Sequence, residues 1–174
     1  MRRKSDSSIE FRPIYGAIDE DPKRDYTHLA ELFSAFDGLQ NAYNWLITDC
    51  DNIAHSERLN AFNDGKYHFL SGEALSEIIR SDDSQWVWGV LSGFDKQISL
   101  KEVLTYPLPY ADGYPGFWYN PLTLQHPLAC VEIVPWDSSL VLILSKEKEF
   151  IERFRAVYPA CQDLREYNET PGKG

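Results

Sequence analysis

The chain has 174 residues, 43% of them hydrophobic and 25% charged, so it can bury one sizeable core without disulfides or metal and is too apolar to be disordered. Its 27 Asp and Glu against 17 Lys and Arg give a formal net charge of -10, a sign that repels nucleic acid and anionic lipid and draws in basic proteins. No apolar run approaches the ~20 residues of a bilayer span, and the basic start Met1-Arg2-Arg3-Lys4 is followed by polar residues instead of a secretory apolar stretch, so the expectation is a cytoplasmic protein off the membrane.

Residues 1–24 are expected to be a tail or irregular arm, with Asp19-Glu20-Asp21-Pro22 as a charged breaker. From Asp25, the residues Tyr26, Leu29, Leu32, Phe33 and Phe36 recur at helical spacing up to Asp37-Gly38, which predicts a helix with a buried stripe. The aromatic and β-branched run 42–50 predicts a strand, 51–66 a polar stretch ending in the turn signal Asn63-Asp64-Gly65, and 67–70 a short returning strand. Ser71 is placed to cap a second helix, with Glu73 in its first turn and Leu75, Ile78 and Ile79 on one face. The run 85–94 is apolar on both faces, as a central strand is. Ser99 and Glu102 have capping-box spacing ahead of a short helix closed by Pro107 and Pro109.

A loop dense in Pro, Gly and aromatics then fills 106–127. The runs 130–136 and 140–144, joined by Asp137-Ser138-Ser139, predict an antiparallel hairpin. Ser145 opens a final helix that buries Phe150, Ile151, Phe154, Val157 and Tyr158 and stops at Pro159. Strands outnumber the crossovers a parallel sheet needs. The expected fold is therefore α+β: a single domain over 25–168, mostly antiparallel sheet flanked by three or four helices, with 169–174 as a frayed tail.

Chemistry-bearing patterns are sparse. Asp49-Cys50-Asp51, with His55 nearby, is a D-x-D triplet without a Gly-rich phosphate loop, and a solvated strand end is the stronger expectation for it than a cation site. His28, His55, His68 and His126 share no ligand spacing, and His126 has no identifiable nucleophile to serve as a base. Cys50, Cys130 and Cys161 are far apart and without C-x-x-C spacing, as free thiols are. No metal site, cofactor or catalytic residue is expected.

The unusual stretch is 106–119. Proline and glycine fix its path, so Tyr110, Tyr114, Phe117, Trp118 and Tyr119 can be presented at low entropic cost beside Asp112, the chemistry of an interface hot spot. The same rings could instead fold back as a lid over the sheet, or stack on a sugar or nucleotide with Asp49, Asp51, Asp112 and His126 as polar groups. Asp82 and Asp83 follow a helix C-terminus, where the dipole disfavours anions, which leans toward partner binding although a solvated turn is the stronger expectation; Asp137, at a hairpin tip where an Asx-type turn is expected, is counted with them as a candidate partner-binding group.

Taken together, Tyr43-Asn44-Trp45-Leu46-Ile47-Thr48-Asp49, Leu70-Ser71-Gly72-Glu73, Gln85-Trp86-Val87-Trp88-Gly89-Val90, Leu108-Pro109-Tyr110-Ala111-Asp112-Gly113, Gln125-His126-Pro127-Leu128-Ala129, Glu132-Ile133-Val134-Pro135-Trp136-Asp137-Ser138-Ser139 and Asp163-Leu164-Arg165-Glu166-Tyr167-Asn168 resemble a group of small, uncharacterised bacterial cytosolic proteins over 42–168. The general style is similar to immunity proteins of bacterial polymorphic toxin systems, which are small and often acidic. That similarity implies a non-enzymatic protein that neutralises a basic toxin by occlusion. It assigns no functional residue.

Overall fold

The computed structural model describes residues 12–172; the basic start 1–11 and Lys173-Gly174 lie outside the described residues. Seven strands form one sheet: β1 (Tyr15–Asp19), β2 (Tyr43–Ile53), β3 (Tyr67–Ser71), β4 (Gln85–Asp95), β5 (Val131–Trp136), β6 (Leu140–Ser145) and β7 (Gln162–Asp163), in the order β3-β2-β4-β5-β6-β1-β7 with every pairing antiparallel. The helices are α1 (Ala30–Ala35), α2 (Glu57–Asn60), α3 (Gly72–Ser81), α4 (Leu100–Val103), α5 (Lys148–Val157) and α6 (Leu164–Glu169). The α+β class and the antiparallel sheet are as the sequence predicts.

Strand alternation divides the core. On one face Ala17, Trp45, Ile47, Leu91, Val131, Ile133, Val141 and Ile143 meet Leu32, Phe33 and Phe36 of the α1 region, Leu75, Ile78 and Ile79 of α3, and Phe150, Ile151 and Phe154 of α5. On the other face Ile18, Val90, Val134, Leu142 and Leu144 lie under the segment 104–130 and α6, with Phe117, Leu122, Leu164 and Tyr167. A satellite cluster of Leu46, Phe94, Val103 and Ala129 extends that second face.

The caps explain the helix boundaries. Ser71 Oγ accepts the N–H of Ala74 at 3.2 Å, and Ser99 and Glu102 complete a capping box at α4. Gly72 has no room for a Cβ, which would collide with the Gln40 carbonyl; glycine there lets α3 start against the turn at 39–42. Asp163, unassigned by sequence, caps α6 by accepting the N–H groups of Arg165 and Glu166.

Three expectations need correction. The arm 1–24 is not wholly irregular: Tyr15–Asp19 is an inner strand between β6 and β7, its Ala17 and Ile18 fully buried. Five residues of Y-G-A-I-D are too short and too Gly/Ala-rich to show a period. The helix expected from Tyr26 begins at Ala30, and Tyr26 is exposed instead of part of the stripe. Ser145 does not cap the final helix; its Oγ accepts the N–H of Glu147, which is itself the N-cap.

Candidate partner-binding surface

The aromatic segment is a lid over the second sheet face. Ala111 and Phe117 are fully buried, with the Phe117 ring edge-on to Tyr114 at 4.7 Å and to Trp136 at 6.1 Å. Trp118 is half-buried against Trp136 (5.1 Å) and Tyr167 (6.2 Å), and Trp136 stacks edge-on against Trp88 at 5.0 Å. Of the residues the sequence singles out, Phe117 lies in the core and Tyr114 and Trp118 are half-covered. Asp112, Tyr110 (45% exposed) and Tyr119 (65% exposed) face solvent, joined by Tyr106 at 38%.

A loop over a sheet must satisfy its own backbone, and here carboxylates do it. Asp49 adopts φ 49° where β2 and β4 slip register; its Oδ2 accepts the N–H groups of Ala111 (2.8 Å) and Asp112 (3.2 Å). The D-x-D triplet thus anchors the lid through Asp49, while Asp51 points to solvent. Gln125 brackets Tyr110, accepting its N–H and donating to its carbonyl, both at 2.8 Å. Glu132, the second residue of β5 and 0% exposed, accepts the N–H groups of Gln125 (2.9 Å) and His126 (2.8 Å). Burial pushes its carboxyl up to about 7, against the pull of those two donors. Glu132 carries no expected role in the sequence; a lone Glu inside an apolar strand run is the signal that points to it.

His126 is not poised for acid–base work. Leu128 N–H donates to its Nδ1, so the proton sits on Nε2, which donates to the Val103 carbonyl at 2.9 Å. Its ring packs edge-on against Phe94 and Tyr106, and burial lowers its pKa.

Asp82 and Asp83 have different fates. Asp82 is buried; its Oδ2 accepts the N–H groups of His55 and Ser56, and its Oδ1 accepts the Ser84 hydroxyl. Burial would raise its pKa, but these donors outweigh it and hold the carboxyl at about 2. His55 Nδ1 lies 2.7 Å from Ser84 Oγ, so serine, histidine and aspartate meet. The serine proton is directed at aspartate and Ser84 is buried, which leaves no general base over an accessible nucleophile. The group instead fastens the start of α2. Asp83 is exposed, accepts the Ala30 N–H on Oδ1, and its carbonyl bonds His28.

Asp83 also borders an acidic concavity. Two adjoining hollows of about 370 and 440 Å³ share Arg24 and Tyr26. Glu31 and Asp83 line one; Glu20, Asp21 and Asp25 line the other, together with Ser138 and Ser139 of the hairpin next to the exposed Asp137. Arg24 is committed inward, bonded to buried Asp19 at 2.7 Å and lying 5.5 Å over the Tyr158 ring. Tyr26 stands between the hollows, 51% exposed. From sequence, Tyr26 is expected in the buried stripe and Asp19-Glu20-Asp21 only as a breaker; the structure exposes Tyr26, lining one hollow with Glu20 and Asp21. The structure brings Asp83 to this end, with Asp137 one residue from the Ser138 that lines it.

Cys50, Cys130 and Cys161 are free and half-buried; burial raises all three, Cys50 to about 12, so none is an activated thiolate. Among the described residues no cluster of His, Cys, Asp and Glu fits a metal ion, and no helix is long and apolar enough to cross a membrane. No family model, curated protein or solved structure matches the chain.

Proposed function

We propose that the protein is a non-enzymatic binder of a basic protein partner, acting as immunity proteins do by occluding a cationic surface, such as the phosphate-holding site of a toxic nuclease. The observation that carries this reading is the paired hollow around Tyr26. Five carboxylates line the two hollows on either side of a half-exposed aromatic ring, and the one arginine among them is paired with Asp19. An arginine or lysine of the partner meets there both counter-charges and a ring face for a cation–π contact. Asp137 at the hairpin tip and Tyr110 and Tyr119 on the lid are further exposed groups a large partner can reach.

The test is direct binding between the purified protein and a basic protein encoded by an adjacent reading frame. The reading expects an affinity that falls steeply with added salt, as screened charge pairs do, and that drops at least tenfold in the variant Asp25→Lys/Tyr26→Ala/Glu31→Lys. The side chains of Asp25, Tyr26 and Glu31 make no hydrogen bond or ion pair among the described residues, so the variant should fold normally. Affinity unchanged by that variant, or insensitive to salt, overturns the reading.

A further inference from the structure

Lid seating depends on one polar chain. From Glu132 on β5 it runs through the Gln125 and His126 N–H groups, across the Gln125 side chain to the Tyr110 backbone, and through the adjacent Ala111 N–H to Asp49 on β2. At the inner end of that chain is a carboxyl sealed from water. Its neighbours offer no compensating charge. Across β4 it faces Ser92, and across β6 Leu144. From the lid it faces Tyr114, whose hydroxyl is raised by burial and then by Glu132, and the backbone of His126, whose ring nitrogens are spent on Val103 and Leu128. Tyr110 packs on Tyr114, and Asp49 holds the far end of the chain. No ion pair reaches Glu132 among the described residues. The Ser92 and Thr48 hydroxyls on the same sheet face are buried and find no partner there.

We propose that Glu132 and His126 together form a two-sided pH latch that sets how firmly the lid 104–130 is seated. The proposal concerns the lid alone and stands whether or not the Tyr26 end binds a basic partner.

The directions follow from burial. The closed lid holds Glu132 in its neutral form, with a pKa near 7 against the ordinary 4.5, while an opened lid hydrates the carboxylate. Closure is therefore strongest below pH 4.5 as far as Glu132 is concerned, and weakens as pH rises through 7. His126 works the other way. Its folded pKa is lowered from 6.5, and a proton added at Nδ1 would confront the Leu128 N–H that now donates there. Its contribution to closure is complete above 6.5 and is lost on acidification. Below pH 6.5 the two trends oppose each other; above it only the Glu132 limb remains, and the lid loosens as pH rises past 7. Taken alone, the separation of the Glu132 values allows the open population to grow by at most roughly seventyfold between pH 5 and 8, and the His126 trend reduces that growth below pH 6.5.

The experiment is amide exchange from pH 5 to 8, corrected for intrinsic rates, at Ala111, Asp112, Gln125 and His126. The expected result is that growth, with little dependence on added denaturant, the mark of a local opening. Glu132→Gln should flatten the alkaline limb, and His126→Gln the acidic one. In the unaltered protein, the Glu132 side-chain carboxyl followed by carbon NMR should titrate near pH 7, which keeps the proposal testable if Glu132→Gln does not fold. A Glu132 midpoint near 4.5, lid amides that exchange only with global unfolding, or an alkaline limb that persists in Glu132→Gln would overturn the latch.

Discussion

The two faces of the sheet are covered by different means. On one, α1, α3 and α5 meet the sheet chiefly through apolar side chains, with Phe36 edge-on to Phe150 at 5.0 Å and Phe33 against Trp45 at 6.0 Å. On the other, the lid brings unpaired N–H groups over the sheet, and Asp49, Gln125 and Glu132 accept them. A helix can be laid on a sheet by apolar burial alone. A long loop needs polar fasteners, and one of them, the buried Glu132, has a carboxyl pushed up to about 7. One face should therefore respond to volume and the other to pH.

The largest effect should come from the helix-covered face. Trp45 is fully buried and donates from its indole N–H to the Gln40 carbonyl at 3.0 Å. Trp45→Ala should cost about 3–5 kcal/mol in denaturant unfolding, equally at pH 5 and pH 8. A strong pH dependence of that loss would erase the contrast.

Next is Glu132. Because its folded pKa is raised, the stability tied to it is present below pH 4.5 and disappears as pH passes 7. The unaltered protein should lose about 3 kcal/mol relative to Glu132→Gln between those limits, read from urea unfolding of both proteins at each pH.

Asp49→Ala removes the acceptor for two lid N–H groups and should cost about 1–3 kcal/mol, with amide protection lost first at Ala111 and Asp112. Tyr119→Ala, at the most exposed ring of the lid, should change stability by less than about 0.5 kcal/mol. A larger loss there would mean that the outer ring, and not the polar fasteners, holds the cover.

The same contrast governs what the sequence could disclose. The helix-covered face was legible because its signals are local: the Ser71 cap and the α3 and α5 stripes each lie within a few residues. The hairpin was legible too; Asp137 and Ser138 take φ 47° and 60°, the left-handed turn their types tolerate. The lid was visible as unusual but its seating was not, because Asp49 and Ala111 are 62 residues apart and only the register slip between β2 and β4 aims the carboxylate. The acidic end was hidden for a related reason. Glu20, Asp25, Tyr26, Glu31, Asp83 and Asp137 come from separate segments, and only the pairing of β1 with β6 and the anchoring of Thr27 to the hairpin carbonyls at Ser138 and Leu140 gather them.

Whether that gathered charge is what the molecule works with is tested most directly in cells. The measurement is survival when a basic toxic protein from the neighbouring reading frame is expressed together with either the unaltered chain or Asp25→Lys/Tyr26→Ala/Glu31→Lys. The account predicts protection by the unaltered chain and none by the variant at equal folded abundance. Equal protection by both, or protection by neither, contradicts it.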